Sequence, residues 1–200
     1  MIDDIIVIDD VIPTYKQNQI EDLFISSRLP WMFFKDIAIS DSEIKRLGIT
    51  KLTPGIGCYI KQDNPKYVNE FLVKETSIIP QSACKKIGKE CLEIFNGRSF
   101  MHFPLASELR TEHDNIHVDV KYPHLVCLYY VNDSDGDTFI FDKTSKDTPL
   151  LLKNTKLEVI KKVTPKKGRV VLFNGNRYHS SSGPTKDIRC IINFDITIKK

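Results

Sequence analysis

The residues best suited to chemistry in this sequence are His117 and Asp119, which are separated by a single residue. In a β-strand, side chains two residues apart point to the same face, so this spacing predicts an imidazole and a carboxylate aimed at one point. A later histidine, His179, is the candidate third ligand. Two imidazoles and one carboxylate on one face of a metal ion leave coordination positions open, and this donor set suits Fe(II). The pattern therefore predicts a metal centre formed by His117, Asp119 and His179.

Arg189 is the candidate anion-binding residue. It opens an apolar strand, and an arginine buried there without a partner would be costly. A guanidinium matches a carboxylate in bidentate geometry, so Arg189 is expected to bind a carboxylate-bearing ligand or to reach solvent. The other histidines, His102, His113 and His124, are expected outside the metal centre, with a supporting role left open for His113.

Further motifs accompany these residues between residues 99 and 196. In order they are Leu128-Tyr129-Tyr130-Val131-Asn132, Gly136-Asp137-Thr138-Phe139, the run Pro165–Phe173 that precedes His179, and Arg189 ten residues after His179. This ordered set resembles the 2-oxoglutarate/Fe(II)-dependent dioxygenases, and is closest to their prolyl-4-hydroxylase-like branch.

The resemblance implies a mainly β fold with N-terminal helices, a double-stranded β-helix or jelly roll. It implies Fe(II) bound by the predicted triad, with 2-oxoglutarate and O2 as cosubstrates. Arg189 would hold the distal carboxylate of 2-oxoglutarate, with Tyr130 and Thr138 as further candidates for the same pocket. The implied reaction is hydroxylation of a C–H bond, because related halogenases lack the carboxylate that Asp119 provides.

The substrate is less well indicated than the reaction. Related prolyl hydroxylases carry a Tyr- and Gly-rich stretch before the first histidine, whereas this sequence has Leu109-Arg110-Thr111-Glu112-His113. An amino-acid side chain within a peptide or protein is the preferred substrate. A free small molecule remains the alternative substrate, and a catalytically silent jelly-roll binding module remains the alternative to an enzyme.

Composition indicates an ordinary globular protein of one domain, with 200 residues, 41% hydrophobic and 28% charged. A net charge of +3 gives no reason to expect nucleic acid as a partner, and no apolar stretch is long enough for a membrane span. Five cysteines without paired spacing do not indicate a disulfide framework. A reduced, cytoplasmic location is therefore expected.

Periodicity divides the domain into residues 1–98, which hold a strand, helices and a candidate lid, and residues 99–200, which form the catalytic β core. A first strand is predicted over Ile2–Ile8, followed by a helix after Pro13 and a short helix over Asp41–Leu47. A further helix is predicted from Pro80 to Phe95.

Strand signals dominate the β core, beginning with Phe100–Leu109, which alternates loosely and has Pro104 as an edge or a bulge. Further predicted strands follow. They include His117–Asp119, Leu125–Asn132, Thr138–Phe141, Leu157–Val163, Arg169–Phe173 and Ile188–Ile198. The loop-rich segment Trp31–Tyr67 is long enough to cover the site, with Gly55 and Gly57 as candidate hinges.

Overall fold

The computed structural model describes residues 2–26, 29–62, 68–120, 122–146 and 156–199. In chain order its elements are β1 (Ile6–Ile8), α1 (Thr14–Phe24), β2 (Met32–Phe34), α2 (Asp41–Leu47), β3 (Gly55–Lys61), α3 (Glu70–Thr76), α4 (Ile78–Lys86), β4 (Cys91–His102), β5 (Leu125–Tyr130), β6 (Thr138–Thr144), β7 (Val159–Val163), β8 (Val170–Asn174), β9 (Arg177–Ser181) and β10 (Arg189–Ile198). A single turn of 3-10 helix lies at Ser107–Leu109.

The strands form two antiparallel sheets. Within the described ranges, the larger sheet has seven strands in the order β1-β8-β5-β10-β4-β3-β2, and the smaller has three in the order β7-β6-β9. The predicted fold class, a mainly β jelly roll with N-terminal helices, is confirmed.

Side chains alternate between the two faces of the larger sheet. On the outer face, Tyr129 and Ile192 pack in a core with α1, α3 and α4, to which Phe24, Leu72 and Ile79 contribute. On the inner face, a second core includes residues of both sheets: Val126, Leu128, Tyr130, Ile140, Val163, Val171, Phe173 and Ile191. Tyr129 and Tyr130 therefore point to opposite faces, as predicted, and the space between the sheets receives the side chains of the candidate site.

Several predicted elements are confirmed. The first strand is present over the shorter range Ile6–Ile8, and α1 follows Pro13. The helix Asp41–Leu47 has the predicted bounds, and Gly48 after it adopts a positive φ of 63°, which suits a residue without a Cβ. Of the predicted core strands, the last five are present with small shifts of their ends.

The predicted helix from Pro80 to Phe95 is wrong over its second half. The α4 helix ends at Lys86, and the chain reverses through Gly88, whose φ is 67°. Residues Cys91–His102 form β4, which pairs with β10 along most of its length. The predicted division between residues 98 and 99 falls inside this strand.

The segment Trp31–Tyr67 also differs from the prediction. It contributes β2 and β3 to the larger sheet, so Gly55 and Gly57 lie in a paired strand and are not hinges. A Cβ at Gly57 would lie 2.6 Å from the Phe100 ring, which explains the glycine by close packing. Residues 63–67 of the predicted lid lie outside the described residues.

No helix in the described part of the chain combines the length and the apolar character needed to cross a membrane.

Candidate active site

The three predicted metal ligands lie together between the sheets. His179 is on β9, and His117 pairs with it through one isolated antiparallel bridge. The predicted strand at His117–Asp119 is thus reduced to this bridge, whereas β9, which was not predicted, carries His179. Asp119 Oδ1 lies 3.8 Å from His117 Nε2, and Asp119 Oδ2 lies 3.5 Å from His179 Nε2. One ligand atom of each residue therefore fits around one cation.

Backbone carbonyls fix which nitrogen of each imidazole faces this point. His117 Nδ1 lies 3.0 Å from the Asn115 carbonyl, and His179 Nδ1 lies 3.1 Å from the Arg177 carbonyl. A carbonyl oxygen only accepts, so each Nδ1 carries the hydrogen. Each Nε2 therefore directs its lone pair at the shared point in neutral imidazole, as is usual for a histidine ligand held by a second partner.

The electrostatics of the three groups differ. Burial, assisted by His179, lowers the pKa of His117 to about 4. Burial also lowers the pKa of His179, but the Asp119 carboxylate outweighs it and the net pKa is raised. For Asp119 burial raises the pKa, and Arg98 and His179 outweigh it and hold the pKa well below the ordinary range. The site thus presents one anionic carboxylate to a cation.

A cavity extends from the triad along the inner face of the larger sheet. Its lining includes His117, Asp119, Thr138, His179 and Arg189, together with the apolar side chains of Ile37, Phe100, Leu128 and Ile191. Five of the six predicted site residues therefore line one cavity. Tyr130, the sixth, lies beneath it and contacts Thr138.

Arg189 is buried, with 4% of its surface exposed. Its Nε donates to the Gly136 carbonyl at 2.8 Å, and its Nη2 donates to Thr138 Oγ1 at 2.8 Å. Among the described residues no carboxylate forms an ion pair with it. Burial lowers the pKa of Arg189, because the charged guanidinium loses its contact with water. Burying this charge therefore costs free energy. An anionic ligand in the cavity would remove that cost.

Thr138 connects Arg189 to Tyr130. Its Oγ1 accepts hydrogen bonds from both, the Tyr130 bond being 2.8 Å long. These two bonds use both lone pairs of Oγ1. The hydroxyl hydrogen of Thr138 is not used in them and can be donated to a ligand in the cavity. Gly136 has a steric role, since a Cβ there would lie 2.8 Å from Arg189 Cδ.

No protein-family model matches the sequence, and no curated protein matches it. Solved structures do match. A 2OG-Fe(II) oxygenase family oxidoreductase from Burkholderia pseudomallei is 11% identical, with a TM-score of 0.62 over 96% of this chain and 84% of that one. The non-heme alpha-ketoglutarate-dependent epimerase SnoN from nogalamycin biosynthesis is 10% identical, with a TM-score of 0.64 over 98% and 78%. A Trichoplax adhaerens prolyl hydroxylase, in complex with a hypoxia-inducible-factor peptide, is 14% identical, with a TM-score of 0.56 over 96% and 82%.

The chain has the fold of the 2-oxoglutarate/Fe(II) oxygenases.

Within this oxygenase fold, His102 and His113 lie away from the triad, whereas His124 lies near Asp119. His113 packs against Phe139 and Phe141, and its Nδ1 bonds the Asp114 carbonyl. His102 is buried beside Arg189 on the neighbouring strand, and burial lowers its pKa to about 3. Neither side chain belongs to the cluster around Asp119.

Two residues that contact Asp119 were not predicted. Arg98 Nη2 donates to Asp119 Oδ1 in a short ion pair, and Asn193 Nδ2 donates to Asp119 Oδ2 at 2.9 Å. The sequence did carry a signal for Asn193, since it alternates with Arg189 and Ile191 on one face of the last strand. Arg98 gave no such signal, because the preceding residues were assigned to a helix.

Proposed function

We propose that this chain is an Fe(II)- and 2-oxoglutarate-dependent dioxygenase that hydroxylates a C–H bond. One observation carries the proposal: a set of two Nε2 atoms and one carboxylate opens on the same cavity as a buried guanidinium that has no carboxylate partner among the described residues. The first feature suits a divalent cation, and the second suits the far carboxylate of a dicarboxylic oxo acid. A metal-free binding module requires neither.

His117, Asp119 and His179 are the residues that would hold Fe(II). Their hydrogen bonds already orient the two Nε2 atoms and the carboxylate, so little rearrangement is needed to bind the ion. When bound, Fe(II) supplies the activation of O2, in which 2-oxoglutarate is decarboxylated to succinate and CO2 and a C–H bond becomes C–OH.

Arg189 and Thr138 would bind the distal carboxylate of 2-oxoglutarate. Arg189 offers the donors that Gly136 and Thr138 leave free, and Thr138 offers its hydroxyl proton. Tyr130 acts on the cosubstrate through Thr138, because its hydroxyl is already donated to Oγ1. Ile37, Phe100 and Ile191 provide apolar walls that keep water away from the reacting atoms.

For the substrate, we propose an amino-acid side chain within a peptide or protein. β2 ends the larger sheet, so one of its edges pairs with no other described strand and is suited to an extended peptide. Phe34 on β2 contacts Phe100, which lines the cavity, with ring centroids 5.5 Å apart. A peptide along this edge would thus lie beside the cavity. The likeness to the peptide-bound Trichoplax prolyl hydroxylase is in keeping with this choice.

A small molecule is the second candidate substrate, because the fold is also similar to that of SnoN, an epimerase of nogalamycin biosynthesis. The two candidates differ in what should stimulate succinate release. We propose a cytoplasmic location for either, since all five cysteines are free thiols.

The test is an assay of O2-dependent succinate release from 2-oxoglutarate, with a peptide library and a metabolite pool as alternative additions. We expect a peptide to stimulate release in the wild type and not in His179→Ala. Stimulation by a metabolite alone would transfer the proposal to a small molecule. Binding of Fe(II) and 2-oxoglutarate without any succinate would indicate the silent binding module.

A further inference from the structure

A polar chain leads from Asp119 to side chains on β4 and β10. Arg98 on β4 lies across from Asn193 on β10, and the two side chains donate to different oxygens of Asp119. Each carboxylate oxygen accepts one hydrogen bond here and keeps a further lone pair for a cation. Both oxygens of Asp119 are therefore held in place before any ligand binds.

Asp195 is the next member of this chain. It lies two residues after Asn193 on the same face of β10, and 1% of it is exposed. Its Oδ2 accepts from Asn96 Nδ2 at 2.8 Å and lies 4.0 Å from Arg98 Nη2. The Arg98 guanidinium thus lies between the carboxylates of Asp119 and Asp195.

His124 completes the chain. Its Nδ1 donates to the Tyr122 carbonyl at 2.8 Å, so its Nε2 faces Asp195 Oδ1, which is 3.5 Å away. Both atoms are buried and have no hydrogen-bond partner among the described residues. A Cβ at Gly175 would lie 2.0 Å from His124 Nε2, so the close approach of the glycine backbone holds this ring in position. Two buried acceptors at this distance require a proton or a cation between them.

The charges of these residues do not favour a second metal ion at this place. Asp119, His124 and Asp195 have the donor types and the spacing of a metal site. The Arg98 guanidinium, however, already contacts Asp119 and lies near Asp195. That guanidinium already supplies a positive charge to both carboxylates. A divalent ion would be placed against a fixed guanidinium in a buried space.

We propose that Arg98 is a positioning residue for Asp119, held in turn by Asp195 and His124, and that its guanidinium takes the place of a second cation. The inference rests on the proposed function, in which Asp119 is a ligand to Fe(II). Loss of a partner that orients a metal ligand typically lowers metal affinity by about 10- to 100-fold. The opposite role, in which Arg98 competes with the metal for Asp119, would give a rise in affinity when Arg98 is removed.

The experiment is an anaerobic titration of the purified full chain with Co(II), whose visible spectrum reports on ligand geometry. The variants are Arg98→Gln, Arg98→Lys and the double variant Arg98→Gln/Asp195→Asn, which removes one charge of each sign. Arg169→Gln is the matched control, because Arg169 pairs with Asp9 far from the triad. We expect one Co(II) per wild-type chain, about 10- to 100-fold weaker binding with an altered spectrum in Arg98→Gln, and intermediate binding in Arg98→Lys.

Wild-type affinity and spectrum in Arg98→Gln, or tighter binding, would overturn the proposal, as would binding of a second Co(II) by the wild type. If the far-ultraviolet circular dichroism of Arg98→Gln differs from that of the wild type, the double variant decides by the same criteria. Failure of the wild type to bind Co(II) or Fe(II) at all would instead remove the proposed function.

Discussion

A guanidinium away from water is stabilised by an anion, and Arg189 has no carboxylate partner among the described residues. Its two hydrogen bonds go to a carbonyl and a hydroxyl, neither of which carries charge. Without an anionic ligand, the free energy needed to remove the Arg189 guanidinium from water would not be offset by any ion pair with a described residue. The position of Arg189 on the cavity wall therefore supports the proposal that a ligand carboxylate is its partner.

Replacement of Arg189 by Ala should raise the 2-oxoglutarate concentration required for binding while leaving metal affinity unchanged. A lost charge-assisted hydrogen bond costs about 1.5–3 kcal/mol, which is roughly a ten- to hundred-fold change. Calorimetric titration with 2-oxoglutarate, in the presence of Mn(II) as an unreactive substitute, measures the change. Equal binding of 2-oxoglutarate and pyruvate by the wild type would contradict the role of Arg189.

Among single residues, the sequence predicted those that gather at the candidate site better than those that hold them in position. His117, Asp119, His179 and Arg189 could be predicted because each has a chemistry that few other residues offer and an order that narrows the choice. Arg98 could not, because an arginine in a chain with abundant surface charge carries no signal until its strand partner is known.

Among the elements, residues 35–54 between β2 and β3 come closest to a cover for the site. Ile37 reaches the cavity lining. The segment is tied down by Asp36, whose carboxylate accepts from the backbone amides of Ala38, Ile39 and Thr53 at 2.9 Å and from Asn115 Nδ2 at 2.8 Å. One buried carboxylate therefore connects the segment to the chain just before His117.

Replacement of Asp36 by Ala should loosen residues 35–54 without loosening the sheets. Four donors lose their acceptor, and one charge-assisted bond alone contributes about 1.5–3 kcal/mol, so amide exchange in the segment should accelerate at least roughly tenfold. Hydrogen exchange read by mass spectrometry measures this, with Asp41→Ala, at an exposed position of the same segment, as the control. Equal acceleration in β5 and β10 would show that Asp36 supports the whole fold and not this segment.

A surface ion pair connects β1 to β8. Arg169 Nε donates to Asp9 Oδ1 at 2.6 Å, and Lys166 lies 3.1 Å from Oδ2. The hydrogen bond from Arg169 is the main cause that lowers the pKa of Asp9 to about 2. A carboxyl whose pKa is lowered in the folded state stabilises the fold at pH values above its pKa in the unfolded chain. This contribution disappears as the pH falls toward its pKa in the folded protein.

Asp9→Asn should therefore lower the urea midpoint at pH 7 and have little effect near pH 2. Because the Asp9 side chain is 40% exposed, screening limits the difference to less than about 1 kcal/mol. Urea unfolding of both proteins across this pH range measures it. A difference that does not change with pH would mean that the carboxylate charge is not its cause.

The elements show why sequence patterns fail in part. The apolar residues Cys91, Ile94 and Phe95 fit a helix as well as a strand, and a short apolar run does not distinguish the two. The strand is determined by its partners, because β4 lies between β10 and β3. Its hydrogen bonds to β10 reach residues about a hundred positions later in the sequence. In contrast, α2 was predicted with its bounds because Gly48 and the residues before it are local signals.

At the level of the whole molecule, a cavity lies between the two sheets, and the three predicted metal ligands line it. The jelly roll could be predicted from many short strands and turns in a known order. The pairing of β2 with β3, and of β3 with β4, could not, because it depends on contacts distant in sequence. That pairing extends the larger sheet beyond the cavity, to the edge where we propose that a peptide binds.

We propose that one Fe(II) and one 2-oxoglutarate bind together between the sheets. This is tested by anaerobic titration of the apoprotein with Fe(II) in the presence of 2-oxoglutarate, followed by metal-to-ligand charge-transfer absorption. We predict one Fe(II) per chain, an absorption band that requires both components, and loss of the band in His179→Ala. Absence of the band in the folded wild type, or its persistence in His179→Ala with unchanged affinity, would contradict the claim.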